Sequence, residues 1–325
     1  MKRFPKPVVL VSKCLEFEKV RYNAQVIPSK IVRDLEPFVE YIKVCPEVEI
    51  GLGVPRDTIR IIKINGEKRL VQPKTGRDIT ERMREFITVF LDNLQEVDGF
   101  IFKSRSPTIG IRGIKVYSGV KDAGVVEKGS GFFAEQLIGR YSGYPMEEED
   151  RLTNRRIRNH FLVHLFTFAG FREIKQRRSI EELVEFDHSN RYLFMSYHHE
   201  NCNQMDELLA NRQERCIDEI FTDYEELLKR IFSTPHTSDS IIRAVKEIIS
   251  LISYHILEVD IDFLNEVIEK YEKNLIGYEG LIEMLRFFVM KFDESGIIDD
   301  SLFQPYPEHL QEVVDVDRDR DFWKN

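Results

Sequence analysis

Between Tyr141 and Asp150 the chain changes character, and that break restricts it to two dissimilar halves. Thirteen of the 17 glycines precede residue 151, whereas all eight histidines follow it. Residues 1–150 carry 25 Lys and Arg against 22 Asp and Glu, a net charge of +3; residues 151–325 carry 22 against 34, a net of −12. Ser142, Gly143 and Pro145 lead into the acidic run Glu147, Glu148, Glu149 and Asp150, which marks the domain boundary, and the basic cluster Arg151, Arg155, Arg156 and Arg158 is expected to pair with it as an electrostatic hinge. At roughly 100 to 200 residues per domain, 325 residues hold two, each with its own core. The first is expected over 1–142 and the second over 151–325.

The first part alternates strand and helix patterns. Val8 to Ser12 is a short apolar run of the kind buried in a parallel sheet. Ser29 is a candidate cap for a helix carrying Ile31, Leu35, Phe38 and Ile42, and Tyr41 to Val44 fits the next strand. Ile59–Ile64 and Arg69–Gln72 flank Asn65-Gly66, the strongest short hairpin signal. Asp78 is a candidate cap for a helix with Ile79, Met83, Phe86, Phe90, Leu94 and Val97 on one face, ahead of a strand at Phe100–Phe102. This predicts an α/β fold, a Rossmann-like open sheet. The second part predicts an all-α domain. Ile241, Ile242, Val245, Ile248, Ile249 and Ile252 recur at helical spacing, as do Phe263, Leu264, Val267, Ile268 and Tyr271, then Leu281, Leu285, Phe288 and Val289. Ser238 is a candidate cap after the break at Thr234-Pro235.

Several function classes are excluded at this level. The richest apolar stretch, Phe161 to Phe171, is interrupted by His164 and falls short of the roughly 18 residues a membrane helix needs. Only Val8 to Val11 are continuously apolar near the start, too short for a signal-peptide core, so a cytoplasmic protein with reduced thiols is expected. The acidic second half is a poor partner for phosphate backbones, and free nucleic acid is not an expected ligand. Gly51-Leu52-Gly53 lacks a third glycine and a following helix, which discounts a dinucleotide loop. His160 and His164 share a helical face but no glutamate follows His160, and packed or surface histidines are the better reading.

In open α/β sheets ligands bind beyond the carboxyl ends of strands. The residues there are Cys14, Cys45 and the segment Ser104-Arg105-Ser106-Pro107-Thr108-Ile109-Gly110. By position alone, Cys14 and Cys45 read as small buried thiols, and their spacing is no metal motif. Glu47 reads as a solvated carboxylate and the serines as turn residues.

The surrounding residues add a resemblance. Val11-Ser12-Lys13-Cys14-Leu15, Val20-Arg21-Tyr22-Asn23, Cys45-Pro46-Glu47-Val48, Gly51 to Arg56 and Lys103-Ser104-Arg105-Ser106-Pro107 together resemble the thiouracil desulfidase (TudS) family, over about residues 6 to 140. Arg151-Leu152-Thr153-Asn154, Leu183 to Phe186, Arg191-Tyr192-Leu193 and Pro305 to Glu308 resemble the helical YbgA domain often fused to it, over residues 151 to 315. The resemblance implies an enzyme that converts C=S to C=O in a thiolated pyrimidine with release of sulfide, at a 4Fe-4S cluster. It implies Cys14 and Cys45 as cluster and metal ligands, Glu47 as acid/base, and Ser104 and Ser106 as groups that orient the substrate.

The chain departs from the resemblance at one position. Where the family carries Ser-Pro-Ser-Cys-Gly, this sequence has Ser106-Pro107-Thr108-Ile109-Gly110, and isoleucine cannot ligate iron. The other two thiols, Cys202 and Cys216, fall in the helical half; Cys202 lies near His198 and His199, and surface or helix positions are the plainer reading there. Two functions therefore stand side by side: an iron-sulfur desulfidase, and a cluster-free homologue serving as a binding or interaction module.

Overall fold

The computed structural model describes residues 3–121, 123–292 and 296–311. The end of the expected second domain, residues 312–325, lies outside the described residues. The described residues form two compact units, one within 6–169 together with 309–311, the other of 3–5 with those of 170–308.

The first unit begins with β1 (Val8–Ser12), α1 (Lys30–Leu35), β2 (Glu40–Val44) and the short α2 (Pro46–Glu49). It continues through β3 (Arg60–Ile64), β4 (Glu67–Gln72), β5 (Arg77–Asp78), α3 (Thr80–Asp92) and β6 (Gly99–Phe102). It then runs through β7 (Ile114–Tyr117), β8 (Val125–Gly129), α4 (Phe132–Arg140) and β9 (Met146–Glu148). One sheet is wholly parallel, in the order β2-β1-β6-β9. Its central strands are near-continuous apolar runs, Val8–Val11 and Phe100–Phe102, as a sheet covered on both faces requires. A second, mixed sheet has the order β5-β4-β3-β7-β8. Its β3–β4 hairpin closes at Ile64↔Glu67 through Asn65 (φ 52) and Gly66 (φ 83), the left-handed pair that a two-residue turn demands.

Between these elements lies an apolar core. Met83, Ile87 and Leu91 of α3 recur every four residues and pack with Phe100, Phe102 and Phe133. Phe86 and Phe90 are half-buried against the same cluster. The expected α3 stripe is thus shifted: Leu94 and Val97 lie beyond the helix end. The helix proposed to reach Ile42 stops at Leu35; Phe38 lies in a turn and Ile42 in β2, because Tyr41–Val44 pair in register with Val9–Ser12. Asp78 lies just outside α3, yet its Oδ1 accepts the Thr80 N–H at 2.9 Å, so it performs the capping chemistry.

The acidic run is part of the sheet as well as of the boundary: Met146–Glu148 form β9, paired with Phe100–Phe102, and Glu147, Glu148 and Glu149 are all buried, with Arg151 of the basic cluster pairing to Glu147 as expected. Burial of carboxylates requires partners, and they exist. Glu147 pairs with Arg151 (3.0 Å) and Arg112 (3.3 Å), Glu148 accepts the Ile111 N–H (2.8 Å), and Glu149 accepts the Ser104 N–H (2.6 Å).

The helices after β9 are α5 (Arg155–Arg177), α6 (Ile180–Ser189), α7 (Arg191–Ala210), α8 (Ile217–Ile231), α9 (Ser238–Ile252), α10 (Glu258–Glu272) and α11 (Tyr278–Phe292). In the second unit the apolar face of α8, with Ile220, Phe221, Tyr224, Leu227, Leu228 and Ile231, is fully covered. α9 is capped by Thr237, not Ser238: Thr237 Oγ1 accepts the Ser240 N–H (3.2 Å) while Ser240 Oγ accepts the Thr237 N–H (3.0 Å). Asp300 caps α7 by accepting the Tyr192 and Leu193 N–H groups at 2.9 and 3.2 Å. α7 kinks at His198 (φ −153, ψ 93), whose Nδ1 accepts the Asn201 N–H at 3.3 Å. Cys202, expected at a plain surface or helix position, is buried beside Arg191 (3.7 Å). His160 and His164 stack along α5 with ring centroids 5.9 Å apart, and burial holds His164 well below the usual imidazole range. No helix among the described residues is long and apolar enough to cross a membrane.

Candidate functional site

β1, β2 and β6 run parallel and end together, so the residues that follow each are delivered to one edge of the sheet. Ser12 sits opposite Val44, and the Lys13 N–H bonds the Val44 carbonyl at 2.8 Å. Cys14 and Cys45 therefore emerge side by side from neighbouring strands. Beyond β6, the segment from Lys103 to Gly110 crosses the same edge. The result is a cavity of about 500 Å³, lined among others by Cys14, Cys45, Glu47, Arg56, Ser106 and Ile109. Cys14, Cys45, Glu47, Ser104 and Ser106, the site residues expected from the sequence, all line it, whereas Cys202 and Cys216 do not.

Cys45 occupies the N-cap position of α2, and its carbonyl accepts the Val48 and Glu49 N–H groups at 3.0 and 3.1 Å. That turn brings Glu47 back beneath Cys45. The Cys45 thiol donates to Glu47 Oε2 at 3.3 Å. Glu47 is only 8% exposed, and its other oxygen accepts from Thr108 Oγ1 at 2.5 Å. Arg56 faces it at 3.7 Å, with its own guanidinium anchored to the Val20 carbonyl at 2.7 Å. Glu47 is thus a buried carboxylate held from two sides, not the solvated one its sequence context suggests. Burial, and next the Glu47 carboxylate, push the Cys14 thiol up to about 11 and the Cys45 thiol up to about 12. Both side chains are protonated thiols at neutral pH.

The loop after β6 is held by hydrogen bonds along its length. Ser106 Oγ lies 3.0 Å from Thr108 Oγ1 and accepts the Ile109 N–H at 3.3 Å. The carbonyls of Pro107 and Thr108 accept the Phe132 and Phe133 N–H groups at 3.1 and 2.8 Å, satisfying donors that the start of α4 would otherwise leave orphaned. Gly131 is required here, since a Cβ would lie 2.5 Å from the Thr108 carbonyl. Arg105, at the rim, takes a left-handed backbone (φ 60), a conformation non-glycine residues seldom adopt away from turns and functional sites.

The two serines differ in their engagement. Ser104 is buried, and its hydroxyl donates to Glu149 Oε1 (3.1 Å) and accepts from Lys103 Nζ (2.9 Å). Ser106 stands in the chain that leads through Thr108 to Glu47. Four residues at the site had no role assigned from the sequence: Arg56, Lys103, Thr108 and Glu149. Arg56 lay within a quoted motif, which was the available signal. Glu149 was hidden by the acidic run in which it stands, and Thr108 by its place beside the position that drew attention, Ile109.

Ile109 is 4% exposed, belongs to the buried apolar cluster that also holds Ile111, Ile114, Phe132 and Phe133, and contributes to the cavity wall. Among the described residues no set of three His, Cys, Asp or Glu side chains has the arrangement to hold a metal ion.

Residues 9–149 match the family described as 2-thiouracil desulfurase, and residues 191–307 match a family described as a protein of unknown function, DUF1722. The chain is 30% identical, over 154 residues, to the uncharacterized protein YbbK of Bacillus subtilis (strain 168), a match covering 45% of this chain and 99% of that protein. It is also similar to the solved structure of the 4Fe-4S-dependent thiouracil desulfidase TudS, at 31% identity over 46% of this chain and 94% of the other, with a TM-score of 0.34.

Proposed function

The chain belongs, through residues 9–149, to the 2-thiouracil desulfurase family, and from that premise we propose that its cavity takes a thiolated pyrimidine and exchanges the thiocarbonyl sulfur for oxygen. The observation that carries this reading is Glu47, a buried carboxylate fixed by Thr108 and Arg56 on the wall of a cavity of about 500 Å³. Pockets of this size accommodate single small ligands, with a few polar groups fixing their orientation.

The exchange balances as a thiocarbonyl and one water giving a carbonyl and one hydrogen sulfide. A water oxygen bonds to the ring carbon, the carbon–sulfur bond breaks, and the two protons of the water end on the departing sulfur. A positioned carboxylate that takes and returns a proton accelerates such steps by about 10² to 10⁴. Glu47 is that group, and Ser106, joined to it through Thr108, orients the ring.

The 4Fe-4S cluster implied by the resemblance does not fit the residues at this cavity. Such clusters are bound by cysteine thiolates, and the cavity supplies two thiols, Cys14 and Cys45, beside the hydrocarbon side chain of Ile109. The proton chemistry is therefore assigned to the protein's own side chains. Ile109 also favours a second reading, a cluster-free homologue that binds the heterocycle without turning it over.

Incubation of the purified full chain with 2-thiouracil or 4-thiouracil, with sulfide and uracil quantified together, separates these readings. Turnover releases equal amounts of both, and Glu47→Gln lowers kcat by at least about 10²-fold with little change in KM. Binding by calorimetry without sulfide release supports the second reading. Turnover at the wild-type rate in Glu47→Gln refutes the assignment of Glu47.

A further inference from the structure

Residue 109 is fixed in space by contacts that do not involve its side chain. Its N–H bonds Ser106 Oγ (3.3 Å), the next N–H bonds the Ser106 carbonyl (2.9 Å), and the Gly110 carbonyl accepts the Gly131 N–H (2.8 Å). A Cβ at Gly110 would lie 2.8 Å from the Ser106 carbonyl oxygen, and one at Gly131 would lie 2.5 Å from Thr108. Glycine-only approaches on both flanks hold the turn, so a substitution at 109 exchanges the side chain while the backbone stays in place.

That side chain faces two ways. It belongs to the buried apolar cluster that includes Ile114 and Phe133, and it shares a cavity wall with Cys14 and Cys45. The remaining cysteines belong to the other unit: Cys202 is buried in α7 beside Arg191, and Cys216 is an exposed residue at the start of α8. The cavity thus has two sulfur donors and, at the third corner, an alkyl group.

We infer that position 109 sets the cofactor state of this pocket: with isoleucine it is a two-thiol cavity that does not assemble a four-iron cluster, and a cysteine there completes a three-thiol set with Cys14 and Cys45. The inference takes family membership as its premise and does not depend on turnover.

The test uses the full-length protein as wild type, Ile109→Cys, Ile109→Ala and the double variant Ile109→Cys/Cys45→Ser. Each is incubated anaerobically with ferrous iron, sulfide and a thiol reductant, then desalted. Iron, acid-labile sulfide and visible absorption are measured per chain. Wild type and Ile109→Ala are expected to retain only traces of both, because enlarging the cavity adds no donor. Ile109→Cys is expected to approach about four iron and four sulfide per chain, and the Cys45→Ser change to abolish the gain. Melting curves recorded before reconstitution identify a variant that fails to fold; in that case Ile109→Ser, of nearly the same size as cysteine, replaces Ile109→Ala as the control and wild-type iron content decides. A wild-type protein carrying a full cluster overturns the inference, as does an Ile109→Cys protein that binds no more iron than Ile109→Ala. Absence of desulfidase turnover would leave these counts unchanged, so the two proposals fail separately.

Discussion

Truncating Glu149 should unfold the pocket loop and much of the unit around it. The carboxylate is 9% exposed in its side chain, and the Lys103 partner is 17% exposed. It accepts the Ser104 N–H at 2.6 Å and the Ser104 hydroxyl at 3.1 Å in addition to pairing with Lys103. Glu149→Ala removes the acceptor of the Ser104 N–H and the counter-charge of Lys103, whose ammonium keeps only the Ser104 carbonyl and hydroxyl, at 3.1 and 2.9 Å. Removing one member of a buried pair costs about 3–5 kcal/mol. Glu149→Gln keeps an oxygen for the Ser104 amide and loses the charge, for which a loss of about 1.5–3 kcal/mol is expected. With a urea slope of about 2 kcal/mol/M, a loss of about 4 kcal/mol lowers the midpoint by about 2 M. Cys45, buried in the same unit, supplies the probe: peptide-resolved alkylation across a urea series reports its exposure apart from that of Cys202. Replacing both partners, as Lys103→Met/Glu149→Leu, should recover most of the loss, because apolar groups of similar volume can substitute for a buried pair. A loss below about 1 kcal/mol in Glu149→Ala, or purely additive effects in the double variant, would show that the carboxylate does not hold this loop.

Two further outcomes follow from single contacts. Thr108→Val keeps the shape and removes the hydroxyl that Glu47 accepts from. A hydrogen bond to a charged group contributes about 1.5–3 kcal/mol, so kcat for sulfide release should fall about tenfold to a hundredfold; an unchanged single-turnover rate would reject the contact as a positioning one. In the helical unit, burial raises the Asp187 carboxyl to about 6, against the hydrogen bond from Tyr224. A carboxyl raised in the folded state contributes stability that is present below about pH 4 and lost as pH rises through about 6, at most about 3 kcal/mol. Asp187→Asn should therefore be more stable than wild type at about pH 7.5 and lose that advantage at about pH 4; parallel stability profiles from urea unfolding would contradict the assignment.

The features legible in the sequence are those whose determinants lie close together in the chain. Asn65-Gly66 identifies the hairpin because the left-handed turn is a property of two adjacent residues. The apolar runs of β1 and β6 identify buried parallel strands, and the positions just past them located Cys14, Cys45 and the Ser104–Gly110 segment. What stayed hidden depends on partners far along the chain. Glu149 resembles a solvated charge until Ser104, 45 residues earlier, supplies its donors, and Glu148 until Ile111 does. Glu47 and Thr108 are 61 residues apart, so neither residue's neighbours reveal the bond. The pairing of β7 with β3 is equally non-local, and β8 joins through a glycine-rich turn without a clear alternation pattern. In α1 the helical spacing of Phe38 and Ile42 was real but subordinate, because residues 40–44 are drawn into parallel register with Val8–Ser12, a partner more than 30 residues away.

β9 is three residues long and stands at the end of its sheet order. Short terminal strands separate from their sheets at a small fraction of the free energy of global unfolding. Here such fraying releases more than a strand, since Glu148 and Glu149 tie down the two ends of the loop running from Ser104 to Ile111. An ordered pocket therefore requires β9 to be docked on β6. A ligand that requires the ordered loop draws the strand into place, stabilising it by about 2.7 kcal/mol at about a hundredfold excess over Kd. By reciprocity, anything that grips or loosens that edge retunes affinity at the cavity without touching it. The strand thus couples the order of the pocket loop to the edge of the sheet, through residues that mark the domain boundary in the sequence.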